Sequence, residues 1–358
     1  MKRILSIMEK EGLQCLPCER ISLDFERFVE YRDSDEHPVD TFFERPRLST
    51  PKKKIHQPDE GIPTILHYFL DGSRKTYKIS DVIVNGRYLP LIAGQIGVAV
   101  VRRNSQTVEP VRSLCKFKNV IALPDSIPLE NLEYLENEIN QWTSVPFSLL
   151  RYEVKRDRDP VDLGIAKIMS EMHDLEIVTV HQMAEQQLLA NDRLLVIDGP
   201  LRFKKKLDLV QFRNVLGISK TFRPTFEVGR GRKRADVGSI TSGLDFGERT
   251  SVFRTFHTAR DLEGIIGVWY LRIRHPHMMS NPLQGIVKVE CYAVDPEDRE
   301  NGFDGERIDV ISSHILRERN VTPYGEDLRW ASHLYPIYVA ECYLKSSFMT
   351  NVRFKAMF

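Results

Sequence analysis

The chain lacks any apolar run approaching the 18 or more residues of a membrane span. Its first residues alternate charged with apolar side chains, where a secretory leader would present an unbroken apolar stretch. Both absences predict a soluble, cytoplasmic protein with no membrane partner. A one-signed charge excess is missing too, since 51 Lys and Arg stand against 50 Asp and Glu. Net charge therefore argues neither for nor against a polyanionic partner, and only its local placement can. Cysteine is sparse: Cys15, Cys18, Cys115, Cys291 and Cys342 are odd in number and scattered, which excludes a disulfide framework. Cys15-Leu-Pro-Cys18 has redox or zinc spacing but no second pair at a suitable distance, so it carries no metal assignment. No GxxxxGK followed by Ser or Thr occurs, and Gly229 to Gly231 does not supply one, so ATP use by this chain is not expected.

What is present is enough apolar material, 42% of 358 residues, to bury a large core. Composition divides the chain into residues 1–60, a short helix with Ile4, Ile7 and Met8 on one face and then an extended arm, and residues 61–358, the main domain. The arm, rich in Pro, His and charge, carries Lys52-Lys53-Lys54, a solvated run that can also touch phosphate. Within the domain, Ile65 to Leu70 reads as a buried strand that ends in Asp71-Gly72-Ser73, placing Asp71 at its carboxyl edge. Leu194 to Ile197 repeats the pattern before Asp198-Gly199. Each Asp-Gly is also ordinary turn chemistry.

Between these stretches, strands are expected at Thr76–Val84, Tyr88–Ile92 and Gln95–Arg103, with Asn85-Gly86 as a hairpin turn, and another around Val120–Leu123. Helices are expected near Leu129–Trp142 and over Val161–Leu189. In the second of these, Ile165, Met169, Met172, Thr179 and Met183 share one stripe with Glu176 in its middle, while Glu171 and Glu185 point away. A carboxylate on an apolar face is costly unless it is paired or bound to a metal. Glu176 thus either binds an ion, pairs with Arg or His across the core, or sits at a wet edge.

Val215–Lys220 reads as another strand with Lys220 near its end. Residues 227–245 have the composition of a basic loop insertion, presenting Arg230, Arg232, Lys233 and Arg234 in a form suited to a phosphate backbone. Further strands are expected at Ser251–His257, Gly264–Arg274 and Gly285–Ala293. Alternation in the middle one sends Tyr270, Arg272 and Arg274 to one face, a second candidate surface for DNA or simply the wet side of a sheet. Helices at Gly305–Glu318 and from Pro336 to about Phe348 close the chain, and Glu341 intrudes on the apolar stripe of the last.

The trio Asp71, Glu176 and Asp198 suits hard divalent ions such as Mn²⁺ or Mg²⁺ better than zinc. Two such ions can activate a water and stabilise the leaving oxygen in phosphodiester hydrolysis, which points to a nuclease.

In order, Asp71-Gly72-Ser73, the acid-bearing long helix, Leu195 to Leu201, Gly217-Ile218-Ser219-Lys220 and the Tyr335-Pro336 helix resemble the NurA nuclease family over roughly residues 64 to 348. The resemblance implies an α/β fold with a ribonuclease H-like mixed β-sheet core flanked by helices, with additional β-strands and C-terminal helices. It also implies a manganese-dependent nuclease that cuts single-stranded DNA and digests duplex 5′ ends, and a homodimer docked on a HerA-type hexameric translocase in DNA end processing. Carried over, Asp71 and Asp198 are metal ligands, Glu176 is the helix acid, and Lys220 contacts the scissile phosphate. One departure stands out: Tyr343, after Cys342, occupies the place of the family's His on the last helix, leaving His333 or Glu341 as substitutes. That departure keeps open a catalytically impaired DNA-binding or translocase-docking subunit.

Overall fold

The computed structural model describes residues 4–23, 42–127, 132–201, 203, 207–222, 227–228, 235–259, 262–322 and 328–358. The first helix, α1 (Ile4–Lys10), buries Ile4, Ile7 and Met8. The β-rich run after it forms one strand, β1 (Leu66–Val84), which does not end at Asp71. It continues through Asp-Gly-Ser because β2 (Arg87–Arg103) lies antiparallel along its length, pairing Asp71 with Ala99, Gly72 with Val98 and Ser73 with Gly97. Backbone groups that a turn would expose are thus satisfied by the ladder. The real turn is Asn85-Gly86, with φ of 52° and 73°, the left-handed pair that a two-residue hairpin demands.

Strand β3 (Lys116–Pro124) pairs antiparallel with β2. Helix α2 (Leu132–Trp142) then leads to β4 (Phe147–Tyr152), a strand absent from the expectation, which lies parallel to β3. The long helix α3 (Pro160–Glu185) starts where Asp159 accepts from the Val161 amide at 2.9 Å, with Pro160 in its first turn. It delivers β5 (Leu194–Asp198), parallel to β1, and β6 (Val215–Ser219), parallel to β5. Strands β7 (Phe253–Ala259), β8 (Leu262–Arg272) and β9 (Ile286–Tyr292) extend the sheet by antiparallel pairing from β6 outward. Helices α4 (Gly305–Glu318), α5 (Tyr335–Ser347) and α6 (Asn351–Lys355) follow. The result is a large mixed sheet flanked by helices, whose central strands run β3-β2-β1-β5-β6.

Each face of that centre has its own core. On one, Ile177, Val180 and Met183 of α3 meet Leu70, Leu195 and Ile197. On the other, Ile308, Ile311 and Ile315 of α4 and Ile337, Ala340 and Leu344 of α5 meet Phe69 and Val196. A third cluster joins α1 to the far ends of β1 and β2 and to the C-terminal Phe354, Met357 and Phe358. The boundary that composition suggested at residue 60 is not a boundary of the sheet: Cys15 and Leu16 pair with β1, and Lys52–Lys54 pair with Glu248–Thr250. Lys52 and Lys53 are tied to Glu248 and Asp309.

The expected basic face on β8 is corrected by its burial. Arg272 and Arg274 are 1% and 6% exposed, because helices and flanking strands cover both sides of this part of the sheet. Arg272 donates to the carbonyls of Ser242, Pro282 and Gln284, and Arg274 donates to those of Ala331 and Trp330 while lying 4.6 Å over the Trp330 ring. Their guanidiniums hold loops together and present no charge to a ligand. Arg230, Arg232, Lys233 and Arg234 lie outside the described residues. Among the described residues, no helix is long and apolar enough to cross a membrane.

Candidate active site

The last parallel pair between β1 and β5 is Leu70 with Ile197. Asp71 and Asp198 are the next residues on their strands, so they sit side by side where β5 stops and β1 carries on. Side chains alternate along a strand, which puts both carboxylates on the face shared with Phe69 and Val196, beneath α5. Glu176 approaches from the opposite face, on α3. A Cβ built on Gly72 would lie 2.2 Å from Glu176 Oε1, so glycine at this position is what lets the α3 carboxylate pack directly against the strand at the residue after Asp71.

Burial makes these acids reluctant to ionise. Asp71 is held well above the ordinary carboxylate range by burial first and then by Asp198; the Lys220 ammonium opposes this, and Glu341 and Glu176 add to it. Glu176 is raised to about 8, again by burial and then by Asp198. The fold thus gathers carboxyl groups at one rung of the sheet, and the Lys220 ammonium opposes the upward shift of Asp71.

That ammonium comes from β6. Ser219 ends the strand, and Lys220 Nζ donates to Asp198 Oδ2 at 2.7 Å and also contacts His333 Nε2. His333 is fully buried just before α5 and lies 3.5 Å from Glu341 Oε2, whose other oxygen accepts from Lys345. An Asp198–Lys220–His333–Glu341 chain therefore lines the α5 side of the site. Tyr343 is not part of it: its ring packs 6.4 Å from Phe117 and against the core. Tyr343 is two positions beyond Glu341, a turn of about 200° around a helix, so the two point apart.

The oxygen-rich donor set suits a hard divalent ion in kind. As the side chains stand, however, no three His, Cys, Asp or Glu among the described residues converge closely enough to hold one. Lys220 occupies the side of Asp198 that such an ion would neutralise. The remaining candidate ligands fall elsewhere. Cys15 is raised to about 11 by burial and Cys18 is raised for the same reason, so both remain thiols. His275 stacks on Phe246 at 4.3 Å.

A cationic cleft next to this centre escaped the sequence reading. Arg103 ends β2 while Arg317 and Arg319 lie at the end of α4, and only the folded chain brings them together. A signal existed in the spacing of Arg317 and Arg319 at the end of α4, but nothing in it indicated Arg103.

No protein-family profile matches the chain, and no curated protein matches it. Among solved structures, it is similar to the NurA nuclease from Sulfolobus solfataricus, at 12% identity and a TM-score of 0.40, over 80% of this chain and 81% of that one.

Proposed function

We propose that this chain is a metal-dependent DNA nuclease built on a ribonuclease H-like core. The observation that carries the reading is the pair Asp71 and Asp198 on the rung beyond the last parallel pair, with the Glu176 carboxylate packed against Gly72, the residue after Asp71. The central order β3-β2-β1-β5-β6, antiparallel on one side of β1 and parallel on the other, supports it. Asp71 and Asp198 would hold a Mn²⁺ or Mg²⁺ ion, with Glu176 or Glu341 as a further oxygen donor. When bound, the metal supplies charge neutralisation at the scissile phosphate and lowers the pKa of a water.

The chain's own residues do the rest. Burial of Asp71 and Glu176 keeps bulk water from screening the reacting phosphate. Lys220 would pass its ammonium from Asp198 to a phosphate oxygen, with His333 in contact behind it and Glu341 next to His333. The finer reading, with single-strand endonuclease and 5′–3′ exonuclease action, a homodimer, a HerA-type translocase partner and a cytoplasmic role in DNA end processing, rests on the resemblance of the Asp-Gly strands and the Tyr335-Pro336 helix.

The test uses end-labelled single-stranded and duplex DNA with Mn²⁺. Asp71→Asn and Asp198→Asn are each expected to lower cleavage by roughly a thousandfold or more while leaving the circular dichroism spectrum intact. Full activity in either purified variant would sink the proposal.

A second reading, a DNA-binding or translocase-docking subunit with impaired catalysis, is favoured by the Lys220–Asp198 pair and by the absence of a converged three-ligand group among the described residues. Lys220→Met separates the two. A nuclease loses cleavage because its phosphate contact is gone, whereas a blocked site gains Mn²⁺ affinity in titration calorimetry.

A further inference from the structure

The end of β2, the end of α4 and the start of α5 enclose a solvent-open cleft of about 440 Å³ lined by Arg103, Arg317, Glu318, Arg319, Tyr335 and Tyr338. Among the described residues that line it, three guanidiniums face one carboxylate. Glu318, 3% exposed, is shared by Arg103 at 3.0 Å and Arg317 at 3.9 Å, so positive charge exceeds negative by two among those residues. Arg317 also donates to the Ile62 carbonyl, and Arg319 donates to that of Leu316 while lying 5.3 Å over the Phe246 ring. These contacts hold the arginines in place while leaving both partly exposed. Tyr335, 49% exposed, presents a ring to solvent.

The cleft adjoins the acidic centre. Asn320 donates its amide to the His333 carbonyl at 2.9 Å, and the Tyr338 ring lies 6.1 Å from that of His333. Tyr338 and Glu341 are three apart on α5, neighbours on one helix face. A cleft of this volume is large enough for a nucleotide unit, and preorganised guanidiniums beside an exposed aromatic ring are the chemistry that grips a phosphodiester backbone and stacks a base.

We infer that this cleft binds single-stranded nucleic acid, gripping backbone phosphates with Arg317 and Arg319 and stacking a base on Tyr335, in the part of the strand flanking the segment at the acidic centre. The inference rests on the nuclease reading for the direction of the strand, but the binding itself does not need catalysis. Burial lowers the pKa of Arg317, Glu318 opposes this and the charge of Arg103 adds to it.

The test measures fluorescence anisotropy of a labelled oligodeoxythymidine on the full chain with EDTA present, so that cleavage cannot contribute. Arg319→Gln is expected to weaken binding about fivefold to tenfold and to reduce the salt slope by about one, and Tyr335→Ala to weaken it roughly tenfold without changing that slope. Tyr335 is exposed, so its variant folds even if an arginine variant does not. Wild-type affinity in both variants overturns the inference. So does displacement of the strand by inorganic phosphate or thymidine monophosphate at comparable concentration, which would mark a small-anion site. A wild-type protein that cuts nothing yet loses binding in these variants defeats the nuclease reading and leaves the cleft standing. A protein that cuts while both variants bind normally does the reverse.

Discussion

Two groups of buried charge lie in this molecule, and they are built on opposite plans. In one, Arg249 is fully buried and its guanidinium donates to both oxygens of buried Glu44, at 2.7 and 3.2 Å, and to Asp309 at 2.7 Å. Nearby in the sheet, Lys288 and Glu290 form a second fully buried pair at 2.9 Å. In the other group, Asp71 has Asp198, Glu341 and Glu176 for neighbours with Lys220 opposing them, and Glu176 has Asp198. Burial of a carboxylate is common to both, so burial does not mark a site. What differs is the matching of charge: a matched cluster is already satisfied, whereas an unmatched one is held at a cost and is ready to take a cation.

The comparison can be broken most directly at Arg249. Arg249→Met is expected to destabilise the fold by about 3–5 kcal/mol, because Glu44 is left charged and buried. Urea denaturation checks it, and a loss below about 1 kcal/mol would mean that the cluster is wetter than its geometry indicates.

The acidic centre should respond in the opposite sense. Glu176 has an ordinary value of 4.5 and is raised to about 8 in the fold, so between those values the folded state holds a proton that the unfolded chain has lost. Stability therefore falls as pH rises across that window and levels off outside it. Glu176→Gln should flatten the slope and raise stability at pH 8 by on the order of a few kcal/mol, seen as a higher melting temperature, whereas added Mn²⁺ should stabilise the wild type most at the alkaline end. Thermal melts at a series of pH values, with and without the ion, decide it. A slope of the same size in the variant would remove Glu176 from the account.

A smaller effect is expected at Gly72. A methyl group there would lie 2.2 Å from Glu176 Oε1 and 3.3 Å from Met172 Cε, and the flexible end of Glu176 can move aside. Gly72→Ala should cost about 1 kcal/mol in stability but lower cleavage roughly tenfold, since it displaces the carboxylate. Equal activity in the two proteins would show that Glu176 plays no part in the chemistry. Smallest of all is Tyr343→Phe, which should leave stability within about 0.5 kcal/mol and activity unchanged, because the ring packs on Phe117 away from the acids.

Much of the architecture was readable from pattern. The Asn85-Gly86 turn, α4, and the stripe of α3 with Glu176 in its middle follow from local propensity and 3.6-residue periodicity. The strand through Asp71 was misjudged at its end because Asp-Gly-Ser has turn composition, and only pairing with β2 keeps it extended. Arg272 and Arg274 alternate like a wet face, yet covering elements and backbone carbonyls make it a dry one. Strand β4 went unrecognised because its apolar run is short and its pairing with β3 is non-local.

By itself the sequence determined most of the strands and helices, and it placed an acid after two apolar runs and within the stripe of a third element, because those properties depend on neighbours along the chain. Only the tertiary structure decided that Asp71 and Asp198 share a rung, that the Glu176 carboxylate packs against Gly72, that Glu341 faces the site while Tyr343 does not, and that Arg103, Arg317 and Arg319 converge beside it. Those relations depend on strand register and helix docking, where residues tens to hundreds of positions apart set one another's burial and charge.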